Sequence, residues 1–218
     1  MSRKRLIVYD LDGTLADTVQ DIAEAANHML GQMGAASVSP QQIRRYIGRG
    51  VYQLVKDCLG TEDLSRVDEG LAVYRRYYRQ HLLDHTRLYP LAEEVLKHFH
   101  GRAQAVITNK PNPYSREILT GLGVAGYFIE IIGGDSPYPR KPDPTSLRAV
   151  LEKTSVPPAE ALFIGDSPVD LETGRSAQVQ TVMVLHGLAE EAELRAAGAE
   201  LLVRDFRALL ELATREGW

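Results

Sequence analysis

The chain has 218 residues, 44% hydrophobic and 25% charged, with 25 Lys and Arg against 29 Asp and Glu. This is the composition of a folded globular chain and excludes a disordered tail or low-complexity polymer, while the small acidic excess disfavours sequence-independent nucleic-acid binding, which depends on surplus Lys and Arg. No apolar run approaches the ~18 residues of a membrane helix, the run behind the basic opening Arg3–Arg5 is too short for a signal-peptide core, and the single cysteine, Cys58, allows no internal disulfide, so the expected setting is cytoplasmic, with no membrane and no nucleic acid as partner.

Leu6–Tyr9 is a continuous apolar run, the pattern of a strand covered on both faces. From Ala16 to about Arg87 the residues predict no strand. Apolar side chains recur there at helical spacing, as Ile22, Ala25, Ala26, Met29 and Leu30, then Val51, Leu54 and Val55, then Leu71, Tyr74 and Tyr78. Gly31, Gly34, Pro40, Gly48, Gly50 and Gly60 punctuate them. Strand-like runs return at Ala103–Ile107, Phe128–Ile132, Leu162–Ile164, Thr181–Leu185 and Leu201–Val203, separated by helical patterns such as Ser115, Ile118, Leu119 and Leu122. The alternation predicts an α/β fold, a Rossmann-like doubly wound parallel sheet, with an all-α helical segment inserted after its first strand. The expected boundaries are residues 1–15 and 88–218 for the α/β core and residues 16–87 for the insert.

In open parallel sheets, ligands gather beyond the carboxyl ends of the strands. Asp10-Leu11-Asp12-Gly13-Thr14 follows the first run, Thr108-Asn109-Lys110 the second, Gly133-Gly134-Asp135 and then Lys141-Pro142 the third, and Gly165-Asp166 to Asp170 the fourth. One sheet edge thus collects carboxylates, a hydroxyl and a lysine. Asp10 and Asp12 are two apart, so on extended backbone both point the same way, and Gly13 permits a tight turn. Clustered carboxylates need a cation, and an all-oxygen set suits Mg²⁺ better than Zn²⁺. Lysine and threonine beside them favour an anion as the second guest, which makes phosphoryl transfer the natural chemistry.

Asp10-Leu11-Asp12-Gly13-Thr14-Leu15, Thr108, Lys141 and Gly165-Asp166 to Asp170, in this order over the whole chain, resemble the four motifs of the haloacid-dehalogenase-like (HAD) phosphatase superfamily. Thr108-Asn109-Lys110-Pro111, Gly133-Gly134-Asp135 and Ile47-Gly48-Arg49-Gly50 are similar to the phosphoglycolate phosphatase branch. The resemblance implies that the insert is a mobile cap whose Gly48-Arg49-Gly50 segment reaches the substrate. It also implies a Mg²⁺-dependent phosphomonoesterase in which Asp10 is the nucleophile and Asp12 the general acid and base. Mg²⁺ would be held by the Asp10 carboxylate, the Asp12 backbone carbonyl and Asp166, with Asp170 orienting a metal-bound water or Lys141. Thr108 and Asn109 would bind the substrate, Lys141 would neutralise charge between Asp10 and the phosphate, and Arg49 would clamp a substrate carboxylate. The implied partner is a small phosphorylated metabolite, 2-phosphoglycolate by resemblance, and the chain is a monomer or a homodimer.

Other features read more plainly. Tyr74-Arg75-Arg76-Tyr77-Tyr78-Arg79 has the basic and aromatic interleaving of a nucleic-acid binder, but at helical spacing it gives an apolar stripe and a wet face. His81 and His85 have metal-binding i,i+4 spacing with no further ligand evident nearby, and Cys58 reads as a small buried residue. A phosphomutase of the same fold, and an inactive module that binds a phosphorylated ligand, are the alternative readings. Loss of Asp10, Asp12, Lys141 or Asp166 would mark the inactive module, and all are present.

Overall fold

The computed structural model describes residues 3–218; Met1 and Ser2, the start of the expected 1–15 core segment, lie outside the described residues. The chain opens with strand β1 (Leu6–Tyr9), passes through a two-residue strand β2 (Ala16–Asp17) and then forms helices α1 (Val19–Gln32), α2 (Pro40–Arg44), α3 (Val51–Leu59) and α4 (Leu64–Tyr78). Strand β3 (Arg87–Leu88) returns antiparallel beside β2. Strand and helix then alternate through α5 (Ala92–His98), β4 (Ala103–Ile107), α6 (Asn112–Gly121), β5 (Glu130–Ile132), α7 (Thr145–Thr154), β6 (Ala161–Gly165), α8 (Pro168–Ser176), β7 (Gln180–Val184), α9 (Glu191–Ala196), β8 (Leu202–Val203) and α10 (Phe206–Glu216).

Six strands form one parallel sheet in the order β5-β4-β1-β6-β7-β8. The chain leaves β1 in one direction to β4 and β5, then crosses back to β6 on its other side. The loops after β1, β4 and β6 therefore converge where the winding reverses, the place where such sheets hold ligands. Every residue of β1 is buried. Ile7 and Tyr9 join one apolar cluster with Val106, Ile164 and Val182, while Leu6 and Val8 join another with Ala105, Phe163 and Leu147. This is the two-residue period of a strand covered on both sides. Each buried aliphatic side chain contributes roughly 1.5–3 kcal/mol, which makes β1 a stiff support for the loop that follows it.

The first cluster runs on into the four-helix segment through Ile22, Met29, Leu54 and Tyr74, so the insert and the sheet share one apolar core. α1 packs on α4, and Gly70 of α4 makes their approach possible: a Cβ there would lie 3.0 Å from Met29 Sδ and 2.9 Å from Leu59 Cδ1. Asp63 caps α4 by accepting from the Ser65 and Arg66 amides, and Gly60 ends α3 in the left-handed conformation. Among the described residues no helix is long and apolar enough to cross a membrane.

Two departures from the sequence pattern have physical causes. The run Phe128–Ile132 yields a strand only over Glu130–Ile132. A 3₁₀ turn at Ala125–Tyr127 precedes it, and Phe128 leaves the ladder to meet Tyr9 edge-on, with ring centroids 6.1 Å apart. The stretch from Ala16 to Arg87, expected to lack strands, begins and ends in the β2–β3 ribbon, whose pairs are Ala16 with Leu88 and Asp17 with Arg87. Two residues carry no periodicity, so such pairing is invisible to a pattern search.

Candidate active site

β1 delivers Asp10 directly at its end: the Asp10 amide still donates to Ile164 O of β6 at 3.0 Å, extending the ladder by one residue. The chain then turns sharply, with the amides of Thr14, Leu15 and Ala16 all donating to Leu11 O. Gly13 is needed there twice over. Its φ is +85°, and a Cβ would lie 2.4 Å from Asp166 Oδ2. Asp10 and Asp12 both face one cavity as expected, but through this turn rather than through extended backbone.

Their surroundings differ. Asp10 Oδ1 accepts from the Leu11 amide at 2.7 Å and lies 2.9 Å from Lys141 Nζ. Asp12 Oδ1 accepts from Thr18 Oγ1 at 2.6 Å and from Lys110 Nζ at 2.9 Å. Burial above all raises the Asp10 pKa; Lys141 opposes it, the charges of Asp170 and Asp12 add to it, and the net result is about 7.

β6 delivers Asp166, which is fully buried. Its Oδ1 accepts from Thr14 Oγ1 and its Oδ2 from the Leu188 amide, both at 2.6 Å. Burial, then the charges of Asp170 and Asp10, hold its carboxyl well above the usual range. Asp170 does not face water on its helix. Its Oδ1 accepts from Lys141 Nζ at 2.6 Å, and its Oδ2 accepts from the amides of Asp166 and Ser167 and from Ser167 Oγ. Ser167 in turn caps α8, so one capping box shapes the turn that presents Asp166. Carboxylate oxygens of Asp10, Asp166 and Asp170 all lie within 4.8 Å of one another.

Lys141 is buried between Asp10 and Asp170. Burial alone would lower its pKa, but those two carboxylates more than offset this and hold it above the ordinary lysine value. Its backbone is clamped by Asn109: the Lys141 amide donates to Asn109 Oδ1 at 2.9 Å, and Asn109 Nδ2 donates to Lys141 O at 3.0 Å. Asn109 Nδ2 also donates to Gly48 O at 2.9 Å. Its amide is thus engaged by protein at both ends, bridging the insert and the Lys141 loop. Thr108 Oγ1 accepts from the Lys110 amide at 3.2 Å and lines the cavity.

The helical segment roofs these strand ends and encloses a cavity of about 40 Å³. Asp10, Asp12, Thr108, Asn109 and Lys110 line it from the sheet, while Gly48 and Gly50 line it from the insert. Arg49, between those glycines, is exposed and is not among the lining residues. Asp135 stays out of the carboxylate cluster; it accepts from the Asn112 amide at the start of α6.

Sequence reasoning assigned no role to Lys110, Thr14 or Thr18, although the first two stand inside motifs it singled out. It also missed Arg44 of α2, which donates to the carbonyls of Gly187 and Leu188, on the loop whose amide serves Asp166. Apart from Thr18, six residues from Asp12, these groups find their partners far along the chain, where no local pattern marks them.

The chain is similar to known proteins over nearly its whole length. A family model described as haloacid dehalogenase-like hydrolase matches residues 7–184. The phosphoglycolate phosphatase of Vibrio parahaemolyticus is 34% identical, with the match covering 95% of each chain. That of Pseudomonas putida is 35% identical over 94% of this chain and 78% of its own. The crystal structure of a predicted phosphoglycolate phosphatase from Haemophilus somnus superposes with a TM-score of 0.91 at 28% identity, covering 98% of this chain and 99% of that one. The chain therefore belongs to the haloacid dehalogenase-like hydrolase family and is a phosphatase of its phosphoglycolate phosphatase-like branch.

Proposed function

We propose that this phosphatase is a Mg²⁺-dependent phosphomonoesterase that hydrolyses a small organic phosphate, 2-phosphoglycolate by its relatives' activity, through an aspartyl phosphate on Asp10. The observation that carries this reading is the division of labour between two neighbouring carboxylates. Asp10 is tied to Lys141 and to the Asp166–Asp170 cluster, whereas Asp12 is held by Lys110 and Thr18. Different environments for paired carboxylates separate nucleophile from acid.

The donor set fits a magnesium ion. Asp10, Asp166 and Asp170 offer only oxygens, all are buried, and Lys141 is the one cation that contacts the trio among the described residues. Burial and mutual repulsion raise the pKa of both Asp10 and Asp166, the behaviour of a cluster built around a missing positive charge. Asp10 and Asp166, with the Asp12 carbonyl, would hold the ion, which when bound would supply charge neutralisation for the phosphoryl group.

The residues of the chain do the rest. An Asp10 carboxylate oxygen attacks phosphorus and the ester P–O bond breaks. Asp12 gives its proton to the departing alkoxide oxygen. The Asp12 carboxylate then takes a proton from water, which attacks the phosphoryl group and returns Asp10 and inorganic phosphate. Thr108 Oγ1 donates to a phosphoryl oxygen, and Lys141 offsets the charge that gathers beside Asp10. Asn109 holds Lys141 in place. Residues 1–15 and 88–218 would form this reaction core, and residues 16–87 the cap that encloses the substrate.

Chelation tests the metal. EDTA should stop hydrolysis of p-nitrophenyl phosphate and added Mg²⁺ should restore it; metal-independent turnover would refute the assignment. The pH dependence has a definite sign. Because the folded-state pKa of Asp10 is raised from 3.8 to about 7, the metal-free fold holds a proton that the unfolded chain has lost across that window. Its contribution to metal-free stability therefore declines as pH rises through the window. Mg²⁺ must displace that proton and the one that Asp166 retains, so its affinity should tighten by roughly tenfold or more per pH unit below the Asp10 pKa. Calorimetric titration of Mg²⁺ at several pH values reads this directly, and a flat profile would remove Asp10 from the ligand set.

A further inference from the structure

The cavity holds a group whose part in the reaction above is only to hold Asp12, at 2.9 Å. Lys110 Nζ is the one cationic group among the described residues that line it. The side chain is 5% exposed, against 10% for its partner Asp12. Its backbone is fixed on both sides, the amide donating to Thr108 Oγ1 and the carbonyl accepting from the Gly134 amide at 2.9 Å. The ammonium is therefore pre-positioned, not a surface lysine folded inward. Its Nζ stands 4.9 Å from the ring centroid of Tyr78, close enough for a cation–π contact.

Tyr78 supplies the second observation. It is 1% exposed and lines the same cavity, yet its buried hydroxyl has no hydrogen-bond partner in the protein. An unmatched buried hydroxyl costs about 1–3 kcal/mol, and a guest acceptor would relieve it. The neighbouring walls are Ile22, Leu54 and Tyr74, so a charge entering here meets little competing water and a strong field from the lysine.

We propose that Lys110 and Tyr78 form a carboxylate-binding subsite that selects phosphate esters bearing a carboxylate on the carbon attached to the ester oxygen. The assignment rests on the phosphomonoesterase reading above. If Asp12 protonates the ester oxygen, that oxygen lies about 3 Å from an Asp12 carboxylate oxygen, and Lys110 Nζ is itself 2.9 Å from Asp12 Oδ1. A carboxylate one carbon beyond the ester oxygen then falls within reach of the ammonium, and a longer spacer carries it past. Charge-assisted hydrogen bonding from Lys110 would hold one carboxylate oxygen, and the Tyr78 hydroxyl would donate to the same group. This moves recognition of the substrate carboxylate from Arg49, which is exposed, to a buried lysine of the core.

The test compares kcat/KM for 2-phosphoglycolate with that for its neutral amide, 2-phosphoglycolamide, in the full-length protein, Lys110→Met and Tyr78→Phe. p-Nitrophenyl phosphate serves as a general phosphatase control. The unmodified protein should prefer the carboxylate. Lys110→Met should cut kcat/KM for the carboxylate ester by roughly 10- to 100-fold more than for the amide, the range of a charged hydrogen bond. Tyr78→Phe should cost the carboxylate ester several-fold more than the amide without lowering Tm, because no protein hydrogen bond is lost. Equal losses on both esters in either variant, or no preference in the unmodified protein, would overturn the subsite. Tyr78→Phe, which keeps the ring in place, decides the matter by itself if Lys110→Met does not fold. Activity on p-nitrophenyl phosphate with no such differential would overturn the subsite and leave the phosphomonoesterase reading standing. Activity on none of the three compounds would overturn both.

Discussion

Asp10→Asn should lower turnover of any phosphate ester by ~10⁴-fold or more, the scale on which removal of a covalent nucleophile acts, and should leave the fold intact. The substitution keeps volume and shape, and the asparagine carbonyl can still accept from the Leu11 amide and Lys141 as Asp10 Oδ1 does. What it removes is an anion from a place where anions are costly. Burial and the charges of Asp170 and Asp12 push the Asp10 carboxyl up to about 7, so above that pH the metal-free variant should melt no lower than the parent. Steady-state assays together with melting curves in EDTA check both halves. Turnover above one part in about a thousand would contradict a covalent role for Asp10. A large fall in Tm would mean that its charge stabilises the fold.

Lys141→Met should damage both stability and reaction. The ammonium lies 2.9 Å from Asp10 and 2.6 Å from Asp170, and its side chain is 2% exposed. Removing one partner of a buried pair leaves the other charge without compensation, at a cost of roughly 3–5 kcal/mol. For a chain of this size each kcal/mol is worth about 2–4 °C in Tm. Because the folded-state pKa of Lys141 is raised, its contribution is complete at any pH below the ordinary lysine value, so the loss should be visible throughout the neutral range. Activity should fall by about 10²–10³-fold, the effect of deleting one preorganised charge beside a transferring group. Added Mg²⁺ should return part of the Tm by neutralising the stranded carboxylates, without returning the rate. Thermal scans with and without Mg²⁺ separate these effects. A Tm loss of less than about 2 °C would show that the carboxylates do not depend on this lysine.

The legibility of the molecule follows burial and chain distance. β1 and β4 are central strands covered on both faces, so Leu6–Tyr9 and Ala103–Ile107 stand out as unbroken apolar runs and match the observed limits. At the sheet edge β5 pairs with β4 alone; the Ile129 amide still donates to Gln104 O of β4, but Phe128 leaves the ladder despite its composition. Asp10 and Asp166 stand out because each directly follows a strand end, where the topology itself brings loops together, whereas Lys141 arrives on the long loop after β5. Lys110 stands within a motif, but its sequence neighbours are those of any lysine. Its partner Asp12 is 98 residues away, and nothing local marks a buried ammonium.

The β2–β3 ribbon has a consequence for how the chain can change. The insert leaves and re-enters the core through two adjacent strands, Ala16–Asp17 and Arg87–Leu88, whose backbones lie about 5 Å apart as in any ladder. To the core, everything between them is a loop with its ends already pinned. Closing such a loop grows costlier only logarithmically, by about 0.6 kcal/mol for each doubling of length. Changing the length of the segment therefore adds little closure cost as long as the ribbon remains, but exchanging it must also refill the apolar cluster that the insert shares with the sheet. The core carries Asp10, Asp12, Lys110, Lys141 and Asp166 with it, so a graft at this junction that kept Thr18 on Asp12 and refilled the shared cluster would set a new roof over the same charges.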